Sequence, residues 1–100
     1  MAQLTLAEVE RFLASLPGWT LDGNTIRKTF TSESFPDAMA CLLRLAFAAE
    51  ASDHHPDVHI SYKRVTLTYT THSEGGLTRK DIDGAREAER IFAAWRRRDG

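Results

Sequence analysis

The sequence contains one cysteine and no long hydrophobic run. Cys41 alone cannot form an internal disulfide, and the first residues lack the basic stretch, apolar run and cleavage site of a signal peptide. We therefore expect a reducing, cytoplasmic location. The longest apolar segment, around residues 39–49, is interrupted by Arg44 and falls short of the roughly 20 residues that span a bilayer. The sequence thus predicts no membrane insertion.

The sequence also lacks an excess of positive or negative charge, because it contains 13 basic and 14 acidic residues. The only basic run is Arg96-Arg97-Arg98, where cations complement the end of a helix, so we do not expect nucleic-acid binding. The hydrophobic fraction of 42% and the charged fraction of 27% are typical of globular proteins. One hundred residues are enough for one core, so we expect a single domain over residues 1–100.

Motifs that hold metals or nucleotides are absent as well. No HExxH, CxxC or carboxylate-rich cluster occurs. His55 and His59 have a spacing that suits one helical face, but Pro56 opposes a helix there. Gly75 and Gly76 stand alone, without a GxGxxG or Walker pattern. We expect neither a metal nor a nucleotide cofactor.

Three helices are predicted by capping patterns that precede apolar residues at the 3.6-residue period. Each cap pairs a hydroxyl residue with an acidic residue three positions later: Thr5 with Glu8, Ser34 with Asp37, and Thr78 with Asp81. The first helix is expected to stop at Pro17-Gly18. The stripes expected to face the core are Leu6, Val9, Leu13 and Leu16; Met39, Leu42, Leu43, Ala46 and Phe47; and Ile82, Ala85, Ala88, Phe92 and Trp95.

Two β-hairpins lie between these helices. The turn residues Asp22-Gly23-Asn24 separate residues 19–21 from residues 25–31, and alternating apolar residues on both sides of Lys63-Arg64 predict the second hairpin. The element order is α-β-β-α-β-β-α. This order predicts an α+β fold, in which three helices pack on one face of a four-stranded antiparallel sheet.

Histidines are concentrated beside Pro56, where His54, His55 and His59 fall within six residues of a predicted loop. Loops carry function more often than cores do. Glu50 continues the predicted core stripe of the second helix. If that helix runs on for another turn, Glu50 lies four residues from His54 and could orient or charge its imidazole. The alternative is that Glu50 is an ordinary surface residue.

Two further groups could join the histidine loop. His72 follows the last predicted strand with a parity opposite to that of the core residues, and two imidazoles that titrate near neutrality suit acid–base chemistry. Asp81 is explained most simply as the cap of the third helix. Cys41 lies inside the second helix without a nearby base in sequence, so we expect it to pack rather than to react.

The segment Glu50-Ala51-Ser52-Asp53-His54-His55-Pro56, followed by Tyr62, His72 and Asp81, resembles the signature of the pterin-4a-carbinolamine dehydratases. Gly18-Trp19, Phe30 and Gly76-Leu77-Thr78 extend the resemblance over nearly the whole chain. It implies the same α+β fold. It also implies dehydration of 4a-hydroxytetrahydropterin to quinonoid dihydropterin in the recycling of the cofactor of aromatic amino acid hydroxylases, without a metal or organic cofactor.

The resemblance also implies a role for each site residue. His54 and His72 form the acid–base pair, His55 binds substrate and stabilises the transition state, and Glu50 tunes His54. Further substrate contacts are expected from Asp53, Thr71, Trp19 and Asp81. The chain departs from its relatives at Asp57-Val58 and at Thr70, which concern the rim of the site.

Two other functions fit the same sequence. Some members of the family stabilise dimeric transcription factors through an exposed helix, so a protein-binding module is one alternative. A dehydratase that acts on a pterin of molybdenum-cofactor metabolism is the other. Because a four-stranded sheet leaves two open edges and the family forms dimers and tetramers, we also expect a homodimer or homotetramer.

Overall fold

Three helices and four strands follow one another in the predicted order. The structure is a computed structural model that describes residues 2–96. Its elements are α1 (Leu6–Leu13), β1 (Thr20–Asp22), β2 (Thr25–Thr31), α2 (Phe35–Ser52), β3 (Asp57–Ser61), β4 (Arg64–Tyr69), a short 3₁₀ helix (His72–Glu74) and α3 (Arg79–Arg96).

The four strands form one antiparallel sheet in the order β1-β2-β4-β3. In the central pair β2–β4, Ile26 lies opposite Tyr69 and Phe30 lies opposite Val65. All four side chains are buried, because alternate residues of a strand point to the same face and this face carries the helices. The predicted α+β architecture is confirmed. β1 and β3 form the two edges of the sheet.

The predicted cap of α1 is present in full. The Glu8 amide donates to Thr5 Oγ1 (3.2 Å), and the Thr5 amide donates to Glu8 Oε1 (2.9 Å). Hydrogen bonds that the Glu8 carboxylate accepts from the Thr5 amide and from the Thr5 side chain lower the pKa of Glu8. The helix ends at Leu13 rather than at Pro17-Gly18, and Leu6 is exposed instead of packing on the core. Leu16 reaches the core from the turn that follows.

The core-facing side of α2 differs from the predicted one. Leu43 is 61% exposed and Phe47 is 72% exposed, whereas Leu45 is only 2% exposed. The buried row is Ala38, Cys41, Leu45 and Ala49. Of the predicted stripe, only Leu42 packs partly buried against the core. The rest was wrong because α2 carries apolar residues on two sides, and the side with smaller residues packs against the sheet and α3. The opposite side leaves an exposed α2 row of Met39, Leu43 and Phe47.

The predicted stripe of α3 is confirmed, with Ile82, Ala85, Ala88 and Phe92 buried and Trp95 partly buried. Of the basic run, Arg97 and Arg98 lie outside the described residues. Over residues 2–96, none of the helices combines the length and apolar character needed to cross a membrane.

Candidate active site

The histidine loop begins where α2 ends. Asp53 adopts a left-handed conformation (φ 53°, ψ 41°) as the C-terminal cap of the helix. The His54 amide then donates back to the carbonyl oxygen of Ala49 (3.1 Å), a bond typical of a closed helix terminus. The helix therefore stops before His54. The chain reverses here and directs the His54 ring toward the start of α3.

His54 is paired with Asp81. The Nε2 atom of the mostly buried imidazole lies 2.6 Å from Oδ1 of Asp81, whose side chain is fully buried. Because a carboxylate only accepts hydrogen bonds, the imidazole donates through Nε2–H, which leaves Nδ1 free to exchange protons. The ring of His54 also stacks on Tyr69, with centroids 6.0 Å apart and planes 21° apart.

Asp81 accepts two further hydrogen bonds through its other oxygen. Oδ2 lies 2.9 Å from the amide nitrogen of Thr78 and 2.8 Å from Oγ1 of Thr71. The first bond is the predicted cap at the start of α3. Thr71 Oγ1 also lies 2.9 Å from Thr78 Oγ1. One buried carboxylate thus joins the histidine loop, the segment after β4 and the beginning of α3.

A cleft of about 560 Å³ opens between α2 and α3 beside this pair. α2 lines it with apolar side chains that include Leu45 and Ala48, and α3 contributes charged side chains. His54 and Tyr69 complete the lining. The volume is within the range of small-molecule sites, and an apolar wall with a few polar groups is typical of them. We call this space the α2–α3 cleft.

His55 lies on the other side of the loop and contacts Glu50. Its Nε2 atom is 2.8 Å from Glu50 Oε1, and both side chains are exposed. They line a smaller cleft of about 230 Å³ together with Ala46 and Val58. The predicted pairing of Glu50 with His54 is wrong: α2 ends at Ser52, Glu50 lies on its exposed side, and Asp81 takes the place beside His54.

His72 begins the 3₁₀ helix that follows β4, and its side chain is exposed. The residue before it, Thr71, binds Asp81 directly. His72 therefore follows in the chain the residue that binds Asp81, but it does not line the α2–α3 cleft. Within residues 2–96, the His72 side chain has no hydrogen bond or ion pair.

Residues 2–91 match the family model described as pterin 4 alpha carbinolamine dehydratase. The chain belongs to this family. A relative named for this dehydratase in Roseiflexus sp. (strain RS-1) is 52% identical over 90 residues, which cover 90% of this chain and 97% of the relative. One from Chloroflexus aurantiacus (strain J-10-fl) is 46% identical, with 92% and 99% covered.

A solved structure from Brucella melitensis, described as a transcriptional coactivator/pterin dehydratase, has the same fold. It superposes with a TM-score of 0.85 at 38% identity and covers 89% of this chain and 97% of its own. Pterin-4a-carbinolamine dehydratases are hydro-lyases, so the chain belongs to an enzyme family.

Some predicted substrate contacts of this pterin dehydratase homologue are buried. Trp19 is buried in the core, where its Nε1 donates to Glu89 Oε2 (2.9 Å) and its ring packs near Tyr69. It lines neither the α2–α3 cleft nor the smaller one. Thr71 and Asp81 are buried and bind each other. Of the predicted contacts, Asp53 is exposed beside the histidines.

The sequence did not single out Tyr69 as a site residue. Tyr69 has the strand parity of a core residue, and its burial confirms that pattern, but the residue also reaches the α2–α3 cleft. No local sequence signal distinguishes a core tyrosine from one at the edge of a cleft. Among the described residues, no three histidine, cysteine or acidic side chains are grouped as a metal site.

Proposed function

We propose that this protein dehydrates 4a-hydroxytetrahydropterin to quinonoid dihydropterin and water. Membership of the family supports the reaction, and the observation that carries the chemistry is the 2.6 Å contact between His54 Nε2 and Asp81 Oδ1 beside the α2–α3 cleft. The elimination needs an acid for the departing hydroxyl and a base for the proton on the neighbouring ring nitrogen. Histidine serves either role near neutral pH.

In the proposed reaction, one imidazole donates a proton to the 4a-hydroxyl and the C4a–O bond breaks to release water. The other imidazole takes the proton from N5, and the N–H electron pair forms the C4a=N5 double bond. The two histidines end with exchanged protonation states, which solvent resets. We assign these roles to His54 and His72. Proton exchange at His54 takes place at Nδ1, because Nε2 is bound to Asp81.

Asp81 acts as a positioning residue in this proposal. It fixes the tautomer and orientation of His54 and stabilises the imidazolium that forms when Nδ1 gains a proton. Thr71 in turn positions Asp81 through the 2.8 Å contact with Oδ2. Because Asp81 and Thr71 are buried, they suit these positioning roles better than direct contact with the substrate.

His55, Glu50 and Asp53 form the proposed binding edge of the site. His55 is exposed and held by Glu50, so its ring is available for a ligand on the loop surface. We propose that His55 binds the pterin and stabilises the transition state. Glu50 orients His55 instead of His54, and Asp53 offers a carboxylate to the polar edge of the ring.

The experiment that tests the proposed function is stopped-flow decay of the 4a-carbinolamine, generated in place, with and without the protein. The proposal predicts that decay accelerates in proportion to protein concentration. The same assay with a pterin of molybdenum-cofactor metabolism separates the two substrate classes. Decay at the uncatalysed rate with both pterins would contradict the proposal. Cofactor recycling and a cytoplasmic location remain parts of the same proposal.

We also propose that the chain self-associates. The exposed α2 row of Met39, Leu43 and Phe47 and the open edges at β1 and β3 offer surfaces for a second copy of the chain. Light scattering of the wild type and of a Phe47→Asp variant tests this. A wild type that stays monomeric at high concentration contradicts it.

A protein-binding role is the second candidate function, because the Brucella protein is described as a transcriptional coactivator as well as a pterin dehydratase. The exposed α2 row is the surface that supports it. A stoichiometric complex with a dimeric transcription factor, formed without carbinolamine turnover, would favour this role over catalysis.

A further inference from the structure

Tyr69 combines deep burial with access to a cleft. The residue is 1% exposed, and its ring packs near Trp19, at a centroid distance of 5.9 Å, and stacks on His54, at 6.0 Å. It is also part of the lining of the α2–α3 cleft. A buried side chain that packs against two rings has little freedom to move.

The hydroxyl of Tyr69 has no hydrogen-bond partner within residues 2–96. Yet none of the described side-chain oxygen or nitrogen atoms that are closed off from solvent lacks a partner. The hydroxyl is therefore the part of Tyr69 that reaches open space, and the open space beside this residue is the α2–α3 cleft. A hydroxyl that is open only to a cleft makes its hydrogen bond with the water or the ligand that fills that cleft.

Gly84 of α3 makes room for this arrangement. A Cβ atom built at Gly84 would lie 2.5 Å from Tyr69 Cε1 and 2.9 Å from Cζ. Any larger residue at position 84 therefore requires the phenol end of Tyr69 to shift. The absence of a side chain at Gly84, which also lines the cleft, lets the hydroxyl end extend past α3.

We propose that Tyr69 is a substrate-binding residue whose hydroxyl donates a hydrogen bond to a neutral acceptor of a planar ring bound in the α2–α3 cleft. The inference rests on the proposed function and deepens it by assigning the ring to the larger of the two clefts. The chemical class is a heteroaromatic ring with a carbonyl oxygen or an unprotonated ring nitrogen, as a pterin has.

The electrostatic surroundings keep this hydroxyl a donor. Burial raises the pKa of Tyr69 well above its ordinary value, and the carboxylates of Asp81 and Glu87 add to the increase. The phenol is therefore protonated throughout the range in which histidines titrate. The apolar side of the cleft, with Leu45 and Ala48, suits the face of a flat ring.

Tyr69→Phe tests the proposal, because it removes the hydroxyl and keeps the stacked ring. We expect KM for the carbinolamine, and the Kd of a stable 7,8-dihydropterin measured by calorimetry, to rise about 5-fold to 10-fold while kcat stays within about twofold. The control is Tyr62→Phe at the exposed β3–β4 turn, which should leave both constants unchanged.

A matched pair of variants on α2 identifies the cleft even if Tyr69→Phe folds poorly. Ala48 lines the α2–α3 cleft, whereas Ala40, two turns earlier on α2, lines neither cleft. We expect Ala48→Leu to weaken dihydropterin binding by at least about 10-fold and Ala40→Leu to change it by less than about twofold, because a leucine fills only a cleft that it lines.

The outcomes separate this inference from the proposed function. Turnover by the wild type with unchanged binding in Tyr69→Phe, or with unchanged binding in Ala48→Leu, overturns the role of Tyr69 and leaves the dehydratase proposal standing. A wild type that neither turns over the carbinolamine nor binds the dihydropterin overturns both.

Discussion

The carboxylate of Asp81 lies 2.6 Å from the imidazole of His54 and at the same time caps the first turn of α3. The two residues are 27 positions apart in the chain. One fully buried side chain therefore serves both the fold and the proposed chemistry. Changes at this position are expected to affect stability and catalysis together.

Asp81→Asn keeps the shape of the side chain but leaves one oxygen for three donors. We expect kcat to fall by about 10-fold to 100-fold, which is less than the roughly 100-fold to 10,000-fold that a positioned acid–base group contributes, because Asp81 acts through His54. The unpaired donor should also lower the free energy of unfolding by about 1–3 kcal/mol. Carbinolamine decay and urea unfolding measure the two effects.

The control for Asp81→Asn is Asp22→Asn, whose exposed carboxylate is 3.5 Å from Arg27. A surface pair of this kind contributes little, so stability should change by less than about 1 kcal/mol and activity should not change. Full activity in Asp81→Asn would show that His54 needs no carboxylate partner.

The burial of Tyr69 predicts that the protein loses stability in alkaline solution. Its raised pKa means that the folded protein holds the phenolic proton more tightly than the unfolded chain does. The stability that the protonated phenol contributes is therefore fully present below the ordinary tyrosine pKa of about 10, and it is lost as the pH rises above that value. Between about pH 10 and pH 11, the free energy of unfolding of the wild type should fall more steeply than that of Tyr69→Phe, by up to about 1.4 kcal/mol per pH unit.

Urea unfolding at a series of pH values measures this difference, and Tyr62→Phe is the control because Tyr62 is exposed in the folded protein. Parallel stability curves for the wild type and Tyr69→Phe would mean that the phenol titrates equally in both states.

The close approach of Gly84 to Tyr69 predicts a coupled pair. In the wild type, Gly84→Ala should destabilise, because a clash of about 1–3 kcal/mol exceeds the roughly 1 kcal/mol by which alanine favours a helix. In a Tyr69→Leu background the clash is absent and the same change should be neutral or stabilising. A double-mutant cycle by urea unfolding gives the coupling energy. Equal effects in the two backgrounds would contradict the packing described.

The sequence predicted the elements well because their signals are local. Thr5 and Glu8 lie three residues apart, and their cap forms as predicted. The orientation of α2 was predicted wrongly because Leu43 and Leu45 are equally apolar, and only the sheet and α3 decide which one is buried. Amphipathic periodicity does not choose between two apolar sides of one helix.

Only part of the site was predicted, because its contacts join residues that are far apart in the chain. The sequence indicates His54 as a candidate, but it predicts Glu50, four residues earlier, as its partner. Its actual neighbour, Asp81, comes from another helix, and the left-handed cap at Asp53 turns the loop toward it. Asp81 shows the ordinary pattern of a helix cap, and that pattern conceals its contact with His54.

The corrected orientation of α2 predicts unequal effects of two leucines. Leu45→Ala should lower the free energy of unfolding by about 2–5 kcal/mol, whereas Leu43→Ala should cost less than about 1 kcal/mol in the dilute protein. If the exposed α2 row mediates self-association, the effect of Leu43→Ala grows with protein concentration. Urea unfolding at two concentrations measures both. In dilute solution, a larger loss of stability from Leu43→Ala than from Leu45→Ala would contradict this orientation of α2 and agree with the one that the sequence predicts.

The central claim is that His54 and His72 carry the dehydration together. The most direct measurement is stopped-flow decay of the carbinolamine with the wild type and with the double variant His54→Ala, His72→Ala, after far-ultraviolet circular dichroism has shown that both are folded. We predict that the double variant loses most of the acceleration while its circular dichroism spectrum is unchanged. A folded double variant that accelerates decay as the wild type does would contradict it.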